Sequence, residues 1–189
     1  TERIINMLNV VNDQLVIEEK GIYSIEKFLI ARRLMYWQVY LHKTVVSAEN
    51  TLIKILKRAK QLIQNGTDIF SSSALKMFLK NNYTANNFIK NDDILETFSK
   101  LDDHDIYSCL KEWANHDDFI LSSLSIRILN RKPLKIKTQN EKFSEKEINK
   151  LKQKVSEKYN ISIDDTNYLV FTGKVSNNAY QYHKTHINI

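Results

Sequence analysis

Residues 23–64 contain neither glycine nor proline, and glycines stand just outside both ends, at Gly21 and Gly66. A stretch of this length with no backbone breaker confines the chain to an architecture built around a long helix. Ser24 is the expected N-cap, with Glu26 in the first turn, where the helix dipole favours negative charge. Asn65-Gly66 is the expected stop. The segment is long for one globular helix, and Thr44, Val45 and Val46 lower helix propensity. A bend is therefore expected between His42 and Ser47. Residues 23–52 are apolar over much of the helix surface, which predicts burial. The same short span carries Arg32, Arg33, Tyr36, Tyr40, His42 and Lys43.

The remaining segments fit around this helix. With three glycines and one proline in 189 residues, turn-rich β architectures are disfavoured. Ahead of the helix, Val10 and Val11, the turn pair Asn12-Asp13, and Leu15, Val16 and Ile17 read as a hairpin. After it, residues 71–81 read as a short helix with Leu75, Phe78 and Leu79 inward, and 81–91 as an Asn-rich loop. Asp93 and Glu96 read as a capping box, and Asp102 or Asp103 as the cap of a helix carrying Ile106, Leu110 and Trp113. Residues 119–130 carry Ile120, Leu124 and Ile128 four apart. Beyond Pro133, Leu134 and Ile136 alternate with lysines as in a strand, Ser144 and Glu147 box a helix to Tyr159, and 168–172 and 183–189 read as further strands. The expected fold class is mainly α with a small C-terminal α+β subdomain. Its parts are a lead-in and hairpin (1–22), a helical body (23–131) and the subdomain (132–189).

A net charge of +6 permits an anionic partner and equally describes a lysine-rich solvated surface. The single cysteine, Cys109, excludes an intrachain disulfide and a cysteine-based zinc site, and reads as a small core residue in keeping with a cytoplasmic location. No apolar run is long enough for a membrane helix. The start, TERIINML, has no initiator methionine and no signal-peptide pattern, and is expected to be trimmed or internal. Two His-Asp pairs occur, His104-Asp105 and His116-Asp117. Both residues can ligate a metal, but each pair sits at a helix start, where Asp is a routine cap. No metal ligands are assigned in this chain.

Arg32, Tyr36 and Tyr40 are spaced i, i+4, i+8 and share a helix face. A guanidinium binds phosphate oxygens in pairs, and a phenol can stack on a sugar or donate to it. The competing reading is a helix whose Arg and Tyr tips simply reach water. Arg131, Lys132, Lys135 and Lys137 form a basic cluster, either a solvated strand edge or a phosphate contact. Tyr168, Phe171, Tyr180 and Tyr182 read as core and rim of the small sheet, or as a stacking platform for single-stranded nucleic acid.

Residues 21–45, GIYSIEKFLIARRLMYWQVYLHKTV, resemble a signature segment of the HD-superfamily phosphohydrolases of the dNTP triphosphohydrolase type. These are bacterial relatives of the mammalian SAM-and-HD-domain dNTPase. The likeness continues through LDDHDIYSCLKEW (101–113), ILNRKPLKI (128–136) and the terminal YLVF and NNAYQY. The resemblance implies an HD-domain-like helical bundle portion from an enzyme that cleaves a dNTP to deoxynucleoside and triphosphate. It implies a divalent metal in the parent enzyme, held by an H…HD…D set upstream of Thr1, so that no catalytic residue lies in this chain and the chain alone is inactive. It implies substrate contacts at Arg32, Tyr36 and Tyr40. It places regulatory nucleotide near Lys20, His42, Lys43, Arg131 and Lys135, between subunits of a homo-oligomer (dimer or tetramer). Non-catalytic alternatives are a nucleic-acid-binding or an oligomerisation module.

Overall fold

The computed structural model describes residues 2–176. The described residues divide into two compact units, one comprising residues 2–46 with 173–176, the other Ser47–Thr172.

The first unit opens with helix α1 (Glu2–Ile5) and the hairpin β1 (Leu8–Val11) and β2 (Gln14–Ile17), paired antiparallel with Leu8 opposite Ile17 and Val11 opposite Gln14. Asn12 and Asp13 both take the left-handed conformation, with φ of 51° and 62°, as a two-residue turn matched to strand twist requires. A 3-10 turn, Glu19–Gly21, then feeds α2 (Ile22–Met35). Gly21 is needed for close approach: a Cβ there would lie 3.0 Å from Met7 Sδ and 3.1 Å from Ile17 Cγ2, and both side chains are buried. Because the chain is already turning at Gly21, α2 starts at Ile22 without a side-chain cap, two residues before the expected Ser24.

Two expectations for the long helix change. It is interrupted earlier than His42. Residues Tyr36–Tyr40 form a π-turn closed by Leu41 N–H donating to Tyr36 C=O at 2.8 Å, and α3 (Lys43–Gln64) begins only after it. Nor is α2 buried: it has no buried residue, and Tyr23, Ile30 and Met35 are among its apolar side chains open to solvent. Apolar composition drives burial only where other elements supply a covering surface, and among the described residues of its unit the elements packed most on α2 are α1, the 3-10 turn and the π-turn, all short.

The second unit holds the core. From α3, Thr51, Ile55, Ala59 and Ile63, each four residues on from the last, face inward. They meet Leu75 and Leu79 of α4 (Ser73–Lys80), Cys109, Leu110 and Trp113 of α7 (Asp103–Trp113), and Ile120, Leu121 and Leu124 of α8 (Phe119–Leu129). Ile106 and Ile128 pack partly buried against this cluster. Trp113 is fully enclosed and donates its indole N–H to Phe70 C=O at 2.8 Å. The stop at Gly66, with φ of 90°, falls where the sequence placed it. Residues 81–91 are not all loop: α5 (Ala85–Lys90) starts on a capping box of Thr84 and Asn87. The cap of α6 (Asp92–Ser99) is Asn91, whose side chain accepts from Asp93 N–H.

The chain is mainly α, as expected. Its C-terminal part departs from the expected strands. Among the described residues the only strands are β1 and β2; residues 134–137 are irregular, and 165–168 form a 3-10 turn. Ser47 Oγ donates to Leu134 C=O at 2.5 Å, and the N–H groups of Leu169 and Val170 donate to Thr166 C=O at 2.9 and 2.7 Å, so α3 and a local turn take backbone groups that a small sheet was expected to pair. Helix α9 (Glu145–Tyr159) starts at Ser144 as expected, with the hydroxyl accepting from Glu147 N–H. The expected strand 183–189, with Tyr180 and Tyr182, lies outside the described residues.

Candidate functional site

Helix α2 and the π-turn carry the three residues singled out on one face. The Arg32 guanidinium lies 5.4 Å from the Tyr36 ring centroid, and Tyr36 meets Tyr40 edge-on with centroids 5.1 Å apart. In a regular helix, residues four apart drift by about 40° around the axis, which would carry Tyr40 well away from Arg32. A π-turn takes each residue through roughly 80° rather than 100°, and so turns Tyr40 back toward the line of Arg32 and Tyr36. The result is a cation–phenol–phenol ladder, with Tyr40 about half exposed. On a neighbouring strip Arg33 sits 5.2 Å from the Trp37 ring centroid. Such a ladder offers paired N–H donors to an anion at one end and flat, hydroxyl-bearing surfaces at the other.

The other candidates fall in both units, Lys20, His42 and Lys43 in the first and Arg131 and Lys135 in the second. Lys20 pairs with Glu18 at 2.5 Å, on the rim of an open cavity of about 400 Å³ lined also by Glu2, Arg3, Asn6 and Met7. His42 Nδ1 accepts from Thr44 N–H at 3.3 Å, so its imidazole caps the start of α3. Lys43 is the first residue of that helix. Arg131 and Lys135 belong to the second unit. Arg131 has a φ of 53° at the end of α8, where Lys132 N–H closes back on Arg127 C=O at 2.8 Å. That hydrogen-bonded reversal ordinarily selects glycine.

Both His-Asp pairs lie at helix starts, and the caps there are Asp102 for α7 and Asp118 for α8. Asp102 and Asp105 form the capping box of α7, and the Ser72 hydroxyl and then the Asp102 amide hold the Asp105 carboxyl below its ordinary range. His116 Nδ1 accepts from Asp118 N–H at 2.9 Å. Among the described residues no three His, Cys, Asp or Glu side chains are placed to hold a metal ion. The divalent metal implied by the resemblance therefore finds no fitting ligand set in the described part of the chain.

The strongest electrostatic feature escaped sequence reading. Arg58 on α3 reaches Asp118 through Nε to Oδ1 at 3.1 Å and Nη2 to Oδ2 at 2.6 Å, and reaches Asp165 through Nη1 at 2.8 Å. Burial raises the Asp118 carboxyl, but Arg58, the Leu121 amide and the charges of Arg58 and His116 outweigh it, and the group is held below its ordinary range. Arg58 is raised, first by its hydrogen bond to Asp118. The partners lie 60 and 107 residues away in sequence, so no local spacing announces them. The one readable signal is that Lys54 and Arg58, four apart, border the inward stripe of α3.

Comparison with known proteins places these features. Residues 1–78, which include the hairpin, α2, the π-turn and α3, match the family described as the HD associated region. A crystal structure of a phosphohydrolase from Bacteroides thetaiotaomicron superposes on the chain with a TM-score of 0.87 and 48% sequence identity, covering 94% of this chain and 44% of that one. An uncharacterized protein of Bacillus subtilis is 36% identical over 130 residues, which cover 69% of this chain and 28% of the relative. An uncharacterized protein of Mycoplasma genitalium is 32% identical over 146 residues, covering 72% of this chain and 33% of the relative. The chain thus spans about a third of the curated relatives it matches. No helix among the described residues is long and apolar enough to cross a membrane.

Proposed function

We propose that this chain, with its HD associated region and a fold shared with a phosphohydrolase, is the substrate-contacting and oligomer-building portion of a metal-dependent HD phosphohydrolase. In this reading the intact enzyme is cytoplasmic and cleaves dNTPs to deoxynucleoside and triphosphate. The observation that carries the reading is the Arg32–Tyr36–Tyr40 ladder inside the HD associated region. Arg32 grips a phosphate oxygen pair, Tyr36 lies beside the phosphate chain, and Tyr40 presents its ring to the deoxyribose. A bound divalent metal would supply an activated water and a polarised phosphorus centre. The described residues hold no ligand set for it, so the steps assigned to this chain are binding and orientation. By itself the chain is expected to hydrolyse nothing.

The test is Arg32→Ala in the full-length protein, with kcat/KM measured for each dNTP. Removing a charge-assisted pair of hydrogen bonds should lower kcat/KM by about tenfold or more. An unchanged kcat/KM for every dNTP would remove Arg32 from the site. Lys20, His42, Lys43, Arg131 and Lys135 are proposed as contacts to a regulatory nucleotide. The left-handed Arg131 favours a use for that side chain, because a glycine would be less strained there. Loss of nucleotide activation in Arg131→Gly, with basal turnover kept, is the expected result. If activation persists in that variant, Arg131 is not a regulatory contact.

A further inference from the structure

The second unit contains a cationic pocket that the proposed function does not use. It has a volume of about 390 Å³, within the range of small-molecule sites, and is lined by residues of α3, of α9 and of the segment after Asp165, including Lys54, Lys152, Asn149, Phe171 and Thr172. Two ammonium groups converge on one residue: Lys54 Nζ donates to Asn167 C=O at 2.8 Å, and Lys152 Nζ donates to Asn167 Oδ1 at 2.6 Å. Lys54 also lies 4.6 Å from the Phe171 ring centroid.

Neither lysine has a carboxylate within ion-pair distance among the described residues. Glu145 lines the same pocket yet pairs with neither. Lys54 is partly buried, and its ammonium is lowered from its ordinary range by burial and then by the charges of Lys57 and Lys152. An ordinary surface lysine swings into water to avoid such neighbours. Here the Asn167 main chain and side chain hold both cations in place, while each ammonium has three donors and has spent one on this residue. Two fixed cations with unused donors favour an anion that bridges them. Ile148, Val170 and Phe171 form the apolar part of the wall.

We infer that this pocket binds a small phosphate-bearing molecule, with the phosphate bridging Lys54 and Lys152 and a flat apolar portion against Phe171. The inference is independent of the α2 reading, and its test is run in the full-length protein carrying Arg32→Ala, so that the α2 ladder cannot supply the binding. Phenyl phosphate and inorganic phosphate are titrated by calorimetry. Phenyl phosphate should bind about tenfold more tightly than phosphate, because it alone reaches the apolar wall, and Phe171→Ala should erase that difference. Lys54→Gln and Lys152→Gln should each weaken binding about tenfold, Glu145→Gln should strengthen it, and Lys137→Gln should leave it unchanged. Equal affinity in the parent and in Lys152→Gln would overturn the proposal, as would no titration up to about 10 mM phenyl phosphate. Should Lys54→Gln fail to fold, Lys152→Gln, on the outer helix, still decides.

Discussion

Replacing Arg58 by alanine is the sharpest test of how the second unit is held together. The guanidinium and its main partner are nearly enclosed, with side-chain exposures of 13% for Arg58 and 15% for Asp118. Asp118 also accepts from Leu121 N–H at 2.8 Å, which starts α8. Asp165 holds the 3-10 turn to the same cation. If the cluster were an exposed ion pair, its removal would cost under about 1 kcal/mol. Arg58→Ala instead strands one enclosed carboxylate and one half-enclosed one. The retained Leu121 contact moderates the penalty, giving about 3 kcal/mol at neutral pH. The assay is urea unfolding of Arg58→Ala, Asp118→Ala and the double variant. Because Asp118→Ala also loses a helix cap, the cycle and not the single variant isolates the pair. The coupling should exceed about 1.5 kcal/mol, the size of one hydrogen bond to a charged group. The pH dependence has a definite sign. The Asp118 carboxyl is lowered in the folded state, so its contribution is present above the unfolded value near 4 and is lost as pH falls through the folded value. In Arg58→Ala burial acts without its main counterweight, the folded value rises, and the share of the acid-side loss that belongs to Asp118 should shrink or reverse. A coupling under about 0.5 kcal/mol, or an acid slope unchanged in Arg58→Ala, would refute this reasoning.

Three further substitutions probe separate features. Gly21→Ala puts a methyl group against Met7 and Ile17 at the hairpin's root; a loss of about 1–3 kcal/mol in denaturant unfolding is expected, and no loss would mean that the junction yields freely. Arg131→Gly should raise stability by about 0.5–1 kcal/mol in the same assay, because glycine takes the left-handed conformation without strain. Trp113→Phe deprives Phe70 C=O of its indole donor and leaves a small void in a fully enclosed site; about 2–3 kcal/mol should be lost, and a melting point within a degree of the parent would contradict the burial.

Local patterns in the chain carried most of the helical layout. The inward residues of α7 and α8, the Ser144 cap and the stop at Gly66 all follow from interactions within a turn or two of helix, which spacing and residue type report directly. The hairpin turn was equally legible, since Asn12 and Asp13 are among the few non-glycine residues that accept positive φ. The Arg32, Tyr36 and Tyr40 alignment was half legible. Their spacing puts them on a common face, but the π-turn that corrects their drift has no propensity signature in YWQVY.

Alternation at 134–137 and the apolar stretch at 168–172 suggested strands, yet a strand exists only where a partner edge accepts its hydrogen bonds. In place of that edge, folding supplied Ser47 of α3 for Leu134 C=O and a local turn onto Thr166 C=O for residues 169 and 170. Apolar content in α2 suggested burial, and only packing could show that no side chain of it is buried. The Arg58 cluster and the Lys54–Asn167–Lys152 junction bring together residues separated by up to 113 positions. No chain-local rule encodes such meetings. Periodicity records which face a helix hides, while the partner that face or charge receives is settled by how distant segments pack.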